Sequence, residues 1–289
     1  MPVRTQRRIW LCADDYGMAP GVNDAIRRLI LRGRLNATSV MTAAPHLGAD
    51  EVDALAMLNS GEKRAALGLH VTLTGPFRPL SDGFAPLRDG AFPPLNEMMR
   101  LAVTRRLESE PIVIEIATQL EAFLAAFGRL PDFVDGHQHV HLLPVVRDAF
   151  LRVVAEIAPG AWVRQCGRTG ARRRLRDRKA LVLDVLSLGF RAQAGRRGLA
   201  TNPAFAGAYG FTPKARFARI FPRFLNGLPD GGLIMCHPGF VDDALKSLDS
   251  LTDLREHEFA FFNSDAFPAV LAEHGVTLAQ PSGEGGSPA

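Results

Sequence analysis

The chain has 289 residues, 47% of them hydrophobic, and its 34 basic and 30 acidic side chains leave a formal charge of only +4. That length suits one large α/β domain with a substantial core, and so small a positive surplus argues against a nucleic-acid partner. The cysteines, Cys12, Cys166 and Cys236, are scattered and form no C-x-x-C pair, which argues against a disulfide framework or a thiolate zinc site and for a reduced, cytoplasmic protein.

Behind Arg4, Arg7 and Arg8, residues 9–13 form an apolar run too short for a signal-peptide core, and it reads as the first strand. Val22, Ala25, Ile26, Leu29 and Ile30 then recur at helical spacing with Gly33 as the stop. A β-branched strand at 36–42, a helix at 50–59 and a strand at 66–73 follow. Residues 75–94 are dense in Pro and Gly and read as a long binding loop or lid. Ile112, Ile116, Leu120, Phe123 and Leu124 restore the helical period up to Gly128, before a strand at 133–135. A helix at 145–158, a strand at 162–164, helices at 181–188 and 214–225, a strand at 233–237, a helix at 264–274 and a strand at 276–279 complete the order.

Seven strands, nearly all separated by helices, point to a parallel sheet with helices outside it, either a β/α barrel or an open doubly wound sheet. No stretch reaches the ~18 to 20 apolar residues of a membrane span. We expect a single domain over residues 1–280 and a disordered tail at 281–289.

The chemistry-bearing residues cluster where strands should end: Asp14 and Asp15 before Gly17, His70 after Gly68, Asp135 with His137, His139 and His141, and His237 before Gly239. In a β/α barrel that end carries the active site, so motifs far apart in sequence can converge there. Adjacent aspartates on an extended strand face opposite ways, so one can hold a metal while the other handles a proton. Asp135, His137, His139 and His141 are spaced by two and in extended conformation would share one side. Together these residues supply the parts of a metal-dependent hydrolase.

The chain resembles the YdjC-like carbohydrate deacetylase (ChbG/HpnK) family through A-D-D-Y-G at 13–17, N-A-T-S-V-M at 36–41, G-L-H-V-T-L-T at 68–74, D-G-H-Q-H-V-H-L-L-P at 135–144 and C-H-P-G at 236–239. The resemblance implies a distorted seven-stranded β/α barrel that removes an acetyl group from an N-acetylated sugar, oligosaccharide or glycolipid head group. By motif, Asp15, His70 and His137 would bind one divalent ion and Asp14 would be the general base. His139 and His141, with Asp135, would lie behind the ligands or in the substrate site, and His237 would be a general acid or oxyanion stabiliser. Zinc suits imidazole ligands, as magnesium suits oxygen; nickel, cobalt and manganese also accept a mixed site. Two rivals stand beside this reading: a metal-dependent phosphoesterase or amidohydrolase, and a catalytically silent sugar- or lipid-binding protein that keeps the metal for structure.

An insertion near 168–210 departs from the family pattern. It carries Arg168, Arg172, Arg173, Arg174, Arg176, Arg178 and Lys179, then apolar residues 181–188, then Arg191, Arg196 and Arg197. It reads either as a packed helix coated with arginine or as a lid with weak membrane-surface contact. Oligomeric state is not legible in the sequence.

Overall fold

The strands read as unbroken apolar runs because both faces of the sheet are covered, as in other parallel sheets. The computed structural model describes residues 6–60, 64–168, 178–210 and 215–281. The first half contains β1 (Arg7–Tyr16), α1 (Pro20–Leu31), β2 (Ala37–Val40), α2 (Ala49–Met57), β3 (Ala66–Val71), α3 (Leu95–Val103), α4 (Ser109–Phe127) and β4 (Phe133–Gly136). A 3-10 turn (His137–Leu142) leads to α5 (Val146–Ile157), β5 (Trp162–Val163), α6 (Arg178–Arg196), β6 (Phe205–Ala206) and α7 (Phe217–Leu225). The remainder is β7 (Leu233–Cys236), α8 (Asp243–Leu248), α9 (Asp253–Asn263), α10 (Ala266–Glu273) and β8 (Val276–Leu278).

Seven parallel strands run in the order β5-β4-β3-β2-β1-β7-β6, and β8 pairs with β1 off this path. The sheet curls until its two edges meet. Val163 on β5 bridges Thr201 ahead of β6, and Trp162 reaches across to Trp10 on β1, with ring centroids 6.1 Å apart. The expected barrel is therefore present, with helices outside it. The sequence reading counted β8 among the seven strands and overlooked β6, which is only two residues long.

Two polar groups organise this frame. Asn36 sits where β8 hands over to β2 along the edge of β1: its Oδ1 accepts from Leu11 N (2.7 Å) and its Nδ2 donates to the carbonyls of Ile9 and Ala279 (both 2.9 Å). Glu115 and Gln119, fully buried on α4, fix the long loop. Glu115 accepts from Leu80 N, Ser81 N and Ser81 Oγ, while Gln119 donates to Glu115 and to the carbonyl of Thr72 (2.7 Å each). Residues 75–94 are thus a tethered wall.

Gly68 explains the glycine of G-L-H. A Cβ there would lie 2.3 Å from the ring of Phe133 on the neighbouring strand, so only glycine permits this approach. At the other end of the expected insertion, the helix anticipated at 181–188 extends over all of α6. Arg172, Arg173, Arg174 and Arg176, and the tail from 282 onward, lie outside the described residues, as do the side chains of Arg178 and Lys179.

Candidate active site

The C-terminal ends of β1, β3, β4 and β7 bring the motifs together. Residue Asp15 has φ +73° and β1 is irregular against β2 between Ala13 and Tyr16. The extended conformation behind the expectation of opposite faces therefore ends at Asp15: Asp15 reaches His70 Nε2 (3.4 Å), while Asp14 and His70 Nδ1 share Ser39 Oγ (3.2 and 3.0 Å). Gly17, at φ +100°, completes the bend where a side chain would press on the carbonyl of Met41.

Asp15, His70 and His137 converge. Asp15 Oδ1 lies 3.0 Å from His137 Nδ1 and 3.4 Å from His70 Nε2, and all three donor atoms lie within 4.8 Å of one another. Neighbouring ligands of an ion with bonds of ~2.1 Å are separated by about 3.0 to 3.4 Å at octahedral to tetrahedral angles, so both separations at Asp15 match those around a single divalent cation. Its orientation fits too. His70 Nδ1 faces Asp135 Oδ1 (2.5 Å), its partner across the β3–β4 register, and Ser39 Oγ (3.0 Å). A proton on Nδ1 leaves the Nε2 lone pair directed at the cluster, the arrangement by which a carboxylate orients a metal-binding imidazole. Arg255 occupies Asp15 Oδ2 (2.7 Å) and bridges it to Asp249 (2.7 Å), so only Oδ1 is offered.

The electrostatics demand positive charge at this point. Burial alone would lower the His70 pKa, but Asp135 and Asp14 lift it to about 10. Burial would raise Asp15, yet Arg255 holds it well below the carboxylate range. Carboxylates that favour a proton so strongly on an imidazole equally favour a metal cation beside it.

Asp14 is gripped by Arg164, whose Nη1 and Nη2 each donate to one carboxylate oxygen at 2.7 Å. Arg164 Nη2 also lies 2.5 Å from Asp135 Oδ2. Against burial, this guanidinium keeps Asp14 ionised and depresses its pKa. Cys12, Asp14 and Asp135 form a second cluster of potential donors, but the Arg164 guanidinium fills it, with Cys12 Sγ 3.0 Å from Nη2.

The histidine run departs from the expected extended ladder. The strand stops at Gly136, and Gln138 and His139 adopt left-handed φ values of +53° and +60°, which send the imidazoles in three directions. His137 joins the cluster, with Phe77 of the long loop packed edge-on to it. His139 is half-buried beside Cys166 (3.5 Å) and Phe205, and burial, reinforced by Arg164, pushes its pKa down to about 3. His141 is fully buried between Phe150 and Phe190, and its Nε2 meets the carbonyl of Arg164 (2.9 Å). It therefore braces Arg164 and lies away from the open mouth.

His237 is partly exposed at the rim. Its backbone N–H donates to Glu258 Oε2 (2.6 Å), and Tyr209 Oη donates to Glu258 Oε1 (2.7 Å). Burial, more than offsetting the pull of Asp15, lowers its imidazole pKa. Sequence reasoning missed Ser39, Arg164, Arg255, Glu258 and Tyr209. Only Ser39 carried a signal, its place in N-A-T-S-V-M; the others are ordinary polar residues until the barrel closes. The three cysteines are buried and free.

The family model described as YdjC-like protein matches residues 8–273. The chain belongs to the YdjC-like family. Among related sequences, a chitooligosaccharide deacetylase of Escherichia fergusonii is 26% identical over 275 residues, covering 94% of this chain and 97% of its own. A carbohydrate deacetylase of Geobacillus stearothermophilus is 29% identical over 271 residues, covering 92% and 93%. A crystal structure from Enterococcus faecalis V583, of a candidate cellobiose-phosphate cleavage protein, superposes on this YdjC-like chain with a TM-score of 0.71 at 19% identity, covering 95% and 97%. That likeness concerns the fold.

Proposed function

We propose that this YdjC-like protein is a metal-dependent deacetylase of N-acetylated sugars or oligosaccharides, and that the same chemistry extends to a glycolipid head group. The observation that carries the reading is the convergence of Asp15 Oδ1, His70 Nε2 and His137 Nδ1, with a second carboxylate, Asp14, outside that donor set at the same strand ends. The names of the relatives from Escherichia fergusonii and Geobacillus stearothermophilus support the substrate class.

Asp15, His70 and His137 would hold the ion, zinc or magnesium by the donor set, with nickel, cobalt and manganese also suited to it. A divalent ion bound there supplies Lewis acidity toward the acetyl carbonyl and toward a water molecule. Asp14 would take the proton of the attacking water at a carboxylate oxygen and return it to the sugar nitrogen as the C–N bond breaks, with Arg164 fixing both of its oxygens. His237 enters the reaction neutral because burial depresses its pKa. Of its two expected roles, a neutral imidazole fits the donor of a hydrogen bond to the developing oxyanion better than a resident acid. His139, also neutral, lines the rim where the sugar would rest.

A two-metal phosphoesterase is the weaker reading, since Arg164 occupies the second donor cluster among the described residues. A purely structural metal has no need of Asp14 beside it. The test is acetate release from a panel of N-acetylated sugars, chitooligosaccharides and glycolipids after chelation and metal return. Release restored by one divalent metal is the expected result. Phosphate release from phosphoesters, with no acetate from any member of the panel, would overturn the assignment.

A further inference from the structure

The inner face of α6 is used up by the fold. Asp184 accepts from the Arg168 backbone (2.8 Å) and pairs with its guanidinium (2.9 Å), Ser187 Oγ accepts from Cys166 N (3.0 Å), and Phe190 packs against His141. Leu183 and Leu186 pack against the core on the same side, and the outer face is apolar as well. Val182, Val185 and Leu188 are 51%, 68% and 50% exposed, and exposed Ala192 and Arg196 continue their line. At 100° per residue these five positions fall within a sector of roughly 120°. A helix apolar on both sides needs a second partner.

The charges around the stripe identify that partner. Asp184 is the only acidic residue of α6, and it is turned inward at 3% exposure. Arg191, Arg196 and Arg197 are exposed. A second copy of this chain would bring like arginines face to face across a two-fold axis, which disfavours self-association. An apolar stripe edged with arginine, on a helix that itself exposes no acid, matches the headgroup zone of an anionic bilayer.

We propose that α6 docks the protein on an anionic membrane surface, with Val182, Val185 and Leu188 entering the headgroup boundary and Arg191, Arg196 and Arg197 meeting lipid phosphates. The attachment is peripheral, since among the described residues no helix is long and apolar enough to cross a membrane. Through Ser187 and Phe190, α6 is tied to the loops that follow β5 and β4, so docking holds the barrel mouth beside the lipid. The inference stands independently of the deacetylase reading.

The test is co-sedimentation of the full chain with phosphatidylcholine vesicles, with and without about one third phosphatidylglycerol, at low and high salt. Wild type should bind the anionic vesicles and lose at least about tenfold in affinity at high salt. A Val182→Ser, Val185→Ser, Leu188→Ser variant should bind about tenfold more weakly or less. An Arg191→Gln, Arg196→Gln, Arg197→Gln variant should lose about a hundredfold at low salt, roughly fivefold per charge. Unchanged thermal midpoints and unchanged turnover of a soluble substrate would separate docking from folding and from catalysis. No binding by wild type at low salt, or equal binding by all three proteins, would overturn the proposal. So would light scattering that shows a wild-type dimer dispersed by the serine variant with no lipid binding, which would assign the face to a second copy.

Discussion

Replacing Glu258 by Gln isolates one buried charge and tests whether the barrel rim titrates. Glu258 is 1% exposed and accepts from His237 N and Tyr209 Oη. Burial raises its pKa from 4.5 to about 7, because these two hydrogen bonds and the nearby Arg255 recover only part of the lost hydration. Below pH ~4.5 the carboxyl is protonated in both the folded and the unfolded chain, and its contribution to stability is fully present. As pH rises through 7 the unfolded chain ionises first, so that contribution is lost, amounting to about 3 kcal/mol by pH 8. Gln keeps both contacts: its carbonyl accepts from His237 N–H and its amide donates to the Tyr209 oxygen. It has nothing to ionise. Urea unfolding at a series of pH values should therefore show the Gln variant gaining on wild type by about 3 kcal/mol between pH 4.5 and 8, a midpoint shift of roughly 1 M or more. A difference that stays constant with pH would mean that Glu258 is ionised throughout, and the burial argument would be wrong.

Two other perturbations separate the groups around the cluster. Asp15→Asn should lower metal occupancy measured by elemental analysis, whereas Asp14→Asn should retain the metal and reduce turnover by ~10² to 10⁴; metal loss in the Asp14 variant alone would exchange the two roles. Arg164→Met leaves Asp14 and Asp135 buried without their shared cation, which should destabilise the protein by about 3 to 5 kcal/mol and lower the calorimetric midpoint by roughly 5 to 8 °C for a chain of this size. A loss under about 2 °C would show that the two carboxylates are held by something other than this guanidinium.

The alternation of strand and helix was legible because buried parallel strands leave apolar runs and amphipathic helices leave a 3.6-residue period. Every motif residue also lies at a strand end, so the spacing of turns placed the site. The course of the backbone through His137, His139 and His141 was not legible. Gln138 and His139 adopt left-handed conformations without being glycine or asparagine, and composition gives no warning of that. The helices α3, α8 and α9 escaped notice because α3 and α8 are short and bury few residues, Met98 and Ala102 in one and Leu245 in the other, while the buried face of α9 is interrupted by the charged residues Arg255 and Glu258. Those charges are buried only because partners from β1 and β7 meet them, a tertiary fact with no local signature. The irregularity at Asp15 belongs to the same class, since it depends on the register with β2.

The pairing of β1 sets an order of assembly. Its partner β2 follows within about thirty residues, but β7 and β8 lie more than two hundred residues further on. Both aspartates therefore leave the ribosome long before Arg255, which orients one of them. A nascent chain that has completed β2 through β6 still has one side of β1 unpaired and Asp15 without Arg255, an exposed edge that invites misassociation. Closure of this barrel is then a late, long-range step, slow by topology. A product truncated before residue 233 would carry the most recognisable motifs of the protein and be unable to assemble the centre they belong to.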